Sequence, residues 1–280
     1  HGSIRRQRQM CIRDRLRSMN NFGVLGWPLE KTYSPFIHKS LFDMTQLEGN
    51  YELLKIENID EKNIHDLNKR LDGYNITIPH KENILGLNIN SIVDEHAQSI
   101  GAINTVKSSG ESIEYYNTDY EGFLFFLNKI DYDWKDKNIL ILGSGGSSKA
   151  IRYALSSNSS STHIASRNVT EDTISYNEAE DIGSEINFLI NTTPIGMSHL
   201  SNLSLDLDVN KFANLDLFLN IGYGNTGNFF KPLVDSVNSY NGIGMLICQA
   251  ILSFNIWTNL NLQVLDIYDE LYKLLVNKND

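Results

Sequence analysis

"KNILILGSGGSSKAIRYAL", Lys137 to Leu155, decides the fold. Asn138 to Leu142 is a continuous apolar run of strand length, closed by glycine, and the residues after the glycines suit a helix. Gly143, Gly145 and Ser148 form G-x-G-x-x-S between the two, with Ser144, Gly146 and Ser147 completing the turn. The first glycine permits a tight turn and the second lets backbone approach a pyrophosphate. The third position needs a small residue for helix–strand packing, which serine supplies. The helix start then offers unpaired N–H groups and a positive dipole end to phosphates. A bare glycine pattern is weak evidence; the strand before it and the helix after it give it meaning.

The next strand, "THIAS", ends at Arg167 and Asn168. A site for NAD carries an acid there, roughly 20 positions on, to hold the ribose 2′-hydroxyl. A carboxylate would repel a 2′-phosphate, whereas a guanidinium grips it at two points. Arg167 therefore points to NADP, the alternative being an ordinary exposed arginine. "INFLINTTPIGM" and "LDLFLNIGYG" supply further strands. The serine run "LSSNSSSTH" reads as a surface loop.

Upstream, "NFGVLGWPL" is a strand from Asn21, followed by a loop and a helix opened by Pro35. Ser34 just before that proline suits an N-cap, which is its plainest reading. "YELLKIE" is a second strand, "DEKNIHDLNKRL" a helix and "GYNITI" a third strand. This alternation implies a parallel sheet covered on both faces. A hairpin follows in "GAINTVKSSGESIEYYNTDYEG", its turn centred near Ser109 and Gly110, pairing Asn104 roughly with Tyr115. Asn104 and Asn117 to Asp119 then share one open end. Thr118, with Glu121 three residues on, reads locally as a capping box.

"YNITIPHKE", Tyr74 to Glu82, is the odd stretch. Ile76 and Ile78 alternate with Asn75 and Thr77, so isoleucines facing a core leave the amide and the hydroxyl on the other face. Pro79 ends the strand and opens a helical turn that carries Lys81. The dipole disfavours an ammonium there, while a nearby carboxylate favours it.

The chain has 280 residues with 41% hydrophobic content, enough for one large or two medium domains. A net charge of −10 argues against a nucleic-acid surface. The first 18 residues carry six arginines and one acid; without them 24 − 6 = 18 basic and 34 − 1 = 33 acidic residues leave −15. This leader reads as non-native, with Met19 the expected start and a short transit peptide the alternative. The two cysteines, Cys11 and Cys248, imply no disulfide framework, and a reducing, cytoplasmic compartment is expected. No apolar run is long enough to span a bilayer. The seven histidines lack ligand spacing, so no metal is expected.

Together these segments resemble the shikimate dehydrogenase family, in order from Asn21 to Trp257. "WPLEKTYSPFIH" looks like its substrate loop and "NITIPHKE" like its catalytic motif. "IGAINTV" and "YNTDYEGF" are similar to the next two, "ILGSGGSSKAI" to the cofactor turn, and "NTTPIGM" and "GMLICQAILSFNIWT" to the late signatures. The resemblance implies NADPH-dependent reduction of 3-dehydroshikimate to shikimate, in the pathway to aromatic amino acids. By it, Lys81 matches the catalytic lysine and Asp119 its partner. Thr32 and Ser34 match the hydroxyl pair for the substrate carboxylate, and Asn75, Thr77, Asn104 and Gln249 other substrate contacts. Thr192 falls in a cofactor signature, and Met245 lies where the family packs a side chain near the nicotinamide.

Three departures stand out. The substrate loop reads Thr-x-Ser rather than Ser-x-Ser. "NIGYGNTGNF" lacks the usual Tyr-Asn-Pro, and Tyr223 is the candidate there for the carboxylate-binding tyrosine. "NVTED" after Arg167 lacks the second arginine and threonine, weakening NADP selectivity. The expected fold is α/β in two domains. A substrate-binding domain covers 19–120 plus 242–280, and a Rossmann-like NADP domain with a parallel sheet covers 121–241. A monomer or homodimer acting on a small molecule is expected, without nucleic acid or membrane. The rival readings are an NAD-using quinate/shikimate dehydrogenase, a folate-linked methylene dehydrogenase, and a catalytically silent NADP-sensing protein. "NITIPHK" followed by "NTD" argues against the second, and the presence of Lys81 and Asp119 against the third.

Overall fold

Strand β1 (Asn20–Gly26) begins the described part of a computed structural model, which covers residues 20–29, 32–109, 112–156, 159, 161–195, 204–222 and 229–279. The leader, Met19 and Tyr223 lie outside the described residues. After β1 come α1 (Ser34–Thr45), β2 (Gly49–Lys55), α2 (Glu61–Arg70), β3 (Gly73–Ile76) and a single turn α3 (His80–Asn83). Then follow β4 (Ile92–Val93), α4 (Glu95–Ile100), β5 (Thr105–Ser108), β6 (Ile113–Tyr116) and α5 (Asp119–Lys129). The second half runs β7 (Asn138–Leu142), α6 (Gly146–Leu155), β8 (Ser161–Ala165), α7 (Tyr176–Asp181), β9 (Phe188–Asn191), β10 (Leu217–Asn220), α8 (Lys231–Ser236) and β11 (Asn238–Asn241). Two helices close it, α9 (Ile243–Thr258) and α10 (Val264–Asn279).

The strands form two sheets. The first, in the order β2-β1-β3-β5-β6-β4, is parallel across β2, β1 and β3 and turns antiparallel at β5 and β6. The alternation of strands and helices foretold the parallel half, and the hairpin supplies the other. The second sheet, β11-β10-β9-β7-β8, is parallel throughout, as the glycine-turn unit requires. β4 and β11 are short additions at sheet edges that no sequence pattern announced.

Local chemistry explains several element ends. Asp60 accepts from Asn63 N, and Asn63 returns the bond to Asp60 N, a reciprocal cap that starts α2. Other local expectations fail for visible reasons. Tyr33, not Ser34, precedes α1, in a helical rather than extended conformation, so Ser34 is the first helical residue and caps nothing. Thr32 Oγ1 accepts from Ser34 N instead, at 3.2 Å. Thr118 is likewise helical at the start of α5 and forms no capping box; Asn117 Oδ1 takes the Asp119 N–H at 3.0 Å.

The hairpin register is shifted by two residues from the sequence reading. Val106 pairs Tyr115 and Thr105 pairs Tyr116, because the loop runs from Ser109 to Ser112, whose carbonyl accepts from Ser109 N at 3.0 Å. A two-residue slip preserves the face of every side chain, so Asn104 still meets the Asn117–Asp119 end.

One apolar cluster joins the two halves. Phe22, Ile37 and Leu41 on the first sheet's side pack through Phe123, Phe126, Phe254 and Trp257 to Ile139, Ile141 and Phe188 on the second. Helices α5 and α9 are therefore wedged between the sheets. Two smaller cores cover the outer faces, Ile64 and Leu67 with β3 on one side and Phe218 and Phe230 on the other.

Candidate active site

A cleft of about 230 Å³ opens between the sheets, at the carboxyl ends of their parallel strands. Among its walls are Thr32, Ser34, Asn75, Thr77, Lys81, Asn104 and Asp119 from the first half and Ser147 and Thr192 from the second, with Met245 and Gln249 from α9. The structure thus brings these residues of the sequence reading together from seven stretches of chain.

Lys81 sits one residue into α3, immediately past β3, and its carbonyl accepts from Ile103 N at 2.7 Å. Its Nζ donates to Asp119 Oδ2 at 2.6 Å and to Ser147 Oγ at 3.0 Å. Both charged side chains are largely covered, 12% exposed for Lys81 and 7% for Asp119. The helix dipole that Lys81 meets is not that of α3, against the expectation from sequence. Its own helix is only one turn long, so the helix start that meets the ammonium is that of α6, through Ser147.

Asp119 is held on its other oxygen by Asn104 Nδ2 at 2.8 Å, and Asn104 Oδ1 accepts from Thr118 N at 2.7 Å. Gln249 Oε1 receives a longer bond from Asn104 Nδ2, at 3.3 Å. Thr32 Oγ1 donates to Ser34 Oγ at 3.1 Å, so the two hydroxyls form one polar pair on the cleft wall. Thr77 and Ile78 lie past the end of β3, where His80 N bonds Thr77 O at 3.0 Å and the strand alternation lapses. Ile78 is consequently 54% exposed and lines the cleft, against its expected place in the core.

Asn75 is more occupied than its sequence suggests. Its Nδ2 donates to Ser253 Oγ at 2.9 Å and Thr105 Oγ1 at 3.2 Å, and its Oδ1 accepts from Tyr51 OH at 2.7 Å. Its Nδ2 also lies 3.2 Å from Asn104 O, so the amide is committed mainly within the protein. Tyr51, Thr105 and Ser253 were not found from the sequence. Ser253 was within reach, since it lies one turn beyond Gln249 on the same helix face. Tyr51 gave no signal. Behind this network His38 is fully buried, its ring stacked on Tyr51 at 4.2 Å, and burial lowers its pKa from 6.5 to about 3 against a smaller opposing effect of Asn75.

The glycine turn fits a dinucleotide pyrophosphate. Gly143 has φ +102°, and a Cβ there would stand 2.7 Å from Thr192 Oγ1, so only glycine serves. A Cβ on Gly145 would meet nothing within 4 Å, which leaves open space over the helix start. The amides of Gly146, Ser147 and Ser148 precede the first helical bond, Lys149 N to Gly145 O at 3.1 Å. Ser148 is fully buried, as its packing position demands. Ser144 Oγ bonds Ser166 Oγ at 3.0 Å, which ties the turn to the end of β8 and sets exposed Arg167 beside it. Among the described residues no group of His, Cys, Asp and Glu could hold a metal ion, and no helix is long and apolar enough to cross a membrane.

A two-sheet α/β frame with a glycine turn and a lysine–carboxylate pair across one cleft defines a dinucleotide-dependent oxidoreductase. A family model for the shikimate dehydrogenase substrate binding domain matches residues 24–106. A curated relative, the NADP(+) shikimate dehydrogenase of Staphylococcus aureus strain MSSA476, is 34% identical over 254 residues, 85% of this chain and 92% of its own length. Two solved structures share the fold. A chorismate mutase/shikimate 5-dehydrogenase fusion protein from Clostridium acetobutylicum has 30% identity and a TM-score of 0.81, with 93% of this chain and 98% of that one covered. Shikimate dehydrogenase 1 from Peptoclostridium difficile has 29% identity and a TM-score of 0.77, with 91% and 98% covered. The chain belongs to the shikimate dehydrogenase family.

Proposed function

We propose that this chain is an NADP-dependent shikimate dehydrogenase, reducing 3-dehydroshikimate to shikimate and running the reverse reaction on the same groups. The observation that carries the reading is the Lys81–Asp119 pair, bonded at 2.6 Å in a cleft that the glycine-turn helix also borders. NADPH, when bound, supplies a hydride to the substrate carbonyl carbon. Lys81 donates the proton that the developing alkoxide needs, and takes it back in the oxidation direction. Asp119 holds the ammonium in place before transfer.

The substrate-binding roles follow from what each side chain presents. Thr32 and Ser34 offer two adjacent hydroxyls to the substrate carboxylate. Thr77, Asn104 and Gln249 face the ring hydroxyls, with Asn75 beside them on the cleft wall. Neutral donors and acceptors suit a polyhydroxylated ring, since an analogue lacking a hydroxyl leaves them unpaired. Gly143 to Ser148 form the pyrophosphate cradle, Arg167 takes the 2′-phosphate, and Thr192 and Met245 border the nicotinamide. Tyr223 stays a candidate for the carboxylate.

These roles divide the chain into a substrate unit of 19–120 with 242–280 and a cofactor unit of 121–241. The protein acts as a monomer or homodimer in the cytoplasm. The deciding experiment is steady-state oxidation of shikimate and of quinate by the purified protein, with NADP+ and with NAD+. Turnover of shikimate with a preference for NADP+ is expected. A preference for quinate with NAD+ would replace the assignment by its nearest rival, and the absence of turnover in all four combinations would overturn it.

A further inference from the structure

The first turn of α6 rests on Lys81. A Cβ added to Gly146 would stand 3.0 Å from Lys81 Cβ and 3.2 Å from its Cδ, so the helix start packs on the lysine methylenes. One residue on, Ser147 Oγ accepts from Lys81 Nζ at 3.0 Å, while Asp119 Oδ2 takes another N–H at 2.6 Å. An ammonium has three N–H bonds in tetrahedral array, so fixing two directions fixes the third. That remaining bond is the one left for a ligand in the cleft. The serine oxygen also offsets an unfavourable feature, since a cation beside a helix N-terminus meets the positive end of its dipole.

We propose that Ser147 is a positioning residue for Lys81, whose hydroxyl fixes the ammonium so that its third N–H points at the reacting oxygen. The inference rests on Lys81 being the proton donor. It separates Ser147 from its neighbours in the glycine turn, whose part is to hold phosphates. It also makes alignment of the proton donor depend on the helix that seats the cofactor, so the two halves of the site are set by one contact. A serine that touched only the cofactor would influence NADP+ binding; one that positions the lysine influences the rate of the bound complex.

Two variants of the full chain, Ser147→Ala and Ser147→Thr, test this in shikimate oxidation with NADP+ across a range of about pH 6 to 10. Ser147→Ala is expected to lower kcat by about 3- to 10-fold with both KM values within about twofold of wild type. This deficit in kcat should persist at every pH across that range. Ser147→Thr keeps the hydroxyl and should restore kcat. A proton–nitrogen NMR spectrum of the free protein gives a reading independent of turnover. The Lys81 Nζ correlation, identified by its loss in Lys81→Ala, should persist in wild type and Ser147→Thr and vanish into solvent exchange in Ser147→Ala. An unchanged kcat and spectrum in Ser147→Ala, or a loss confined to the KM for NADP+, would overturn the proposal. A wild-type protein inactive on shikimate would instead overturn the functional assignment, and the spectrum would still judge whether Ser147 holds the ammonium.

Discussion

Asn104 grips the carboxylate that grips the lysine: its Nδ2 donates to Asp119 Oδ1 at 2.8 Å while Lys81 Nζ holds Oδ2 at 2.6 Å. The same amide accepts the Thr118 N–H at 2.7 Å. Asn104→Ala therefore leaves a buried N–H unpaired and frees Asp119 to rotate. The expected loss is about 1–3 kcal/mol of stability and about 10- to 100-fold in kcat. Urea denaturation and steady-state kinetics measure the two. A variant matching wild type in both would remove Asn104 from the site's framework.

Lys81→Ala should lower kcat by roughly 10²–10⁴, the usual worth of a positioned acid or base, with little effect on NADPH binding. Single-turnover kinetics read the first and fluorescence titration the second. Near-normal turnover would exclude Lys81 from proton transfer.

Gly143→Ala forces a Cβ to within 2.7 Å of Thr192 Oγ1 at a φ of +102°. Backbone strain of about 1–3 kcal/mol should appear as a lower midpoint in thermal denaturation. NADPH affinity should fall with it, because the turn must shift to relieve the clash. Unchanged stability would mean that the turn tolerates a side chain.

Arg167→Ala should weaken NADPH binding by about 10- to 150-fold and leave NADH nearly untouched, the worth of a charge-assisted hydrogen bond to phosphate. The missing second arginine favours the lower end. The readout is the ratio of kcat/KM values for the two cofactors. Equal losses with both would mark Arg167 as structural.

His38 gives the fold a dependence on pH. Its pKa is lowered from 6.5 to about 3 by burial, so the native state keeps it neutral while an unfolded chain protonates it below 6.5. The stabilisation is fully present above pH 6.5 and is lost as pH falls toward 3, at up to about 1.4 kcal/mol per pH unit. His38→Phe, which can still stack on Tyr51, should be relatively more stable at pH 5 than at pH 7. Parallel denaturation curves for the two proteins at both pH values would contradict this.

What could be read in advance was what short-range rules determine. The glycine turn was legible because a positive φ demands glycine at Gly143 itself, and the strand and helix flanking it follow from periodicity. Asn104 and Asp119 were foreseen at one hairpin end even though the register was two residues out, since such a slip keeps side chains on their faces. Ser34 and Thr118 deceived local reasoning for different reasons. Ser34 is the first helical residue and the neighbouring Thr32 hydroxyl takes its N–H, whereas Thr118 is claimed by distant Asn104 and Ser253. Tyr51, whose hydroxyl reaches Asn75 from a different strand, belongs to a contact that only the assembled sheet creates.

Trp257 stacks on Phe22 at 4.6 Å and donates its Nε1 to Val106 O at 2.8 Å, and a Cβ on Gly73 would strike its ring. The face of the first sheet is thus lidded by a residue made only after the strands of both sheets. As a nascent chain leaves the ribosome, β1 to β6 emerge with that face covered by α1 alone and must wait while the whole second sheet is synthesised. The second sheet's strands are contiguous in sequence from Asn138 to Asn241, yet its inner face waits for the same helix, α9. A polypeptide halted at Asn241 would carry both sheets with their inner faces still open and sticky, the kind of intermediate that chaperones shelter.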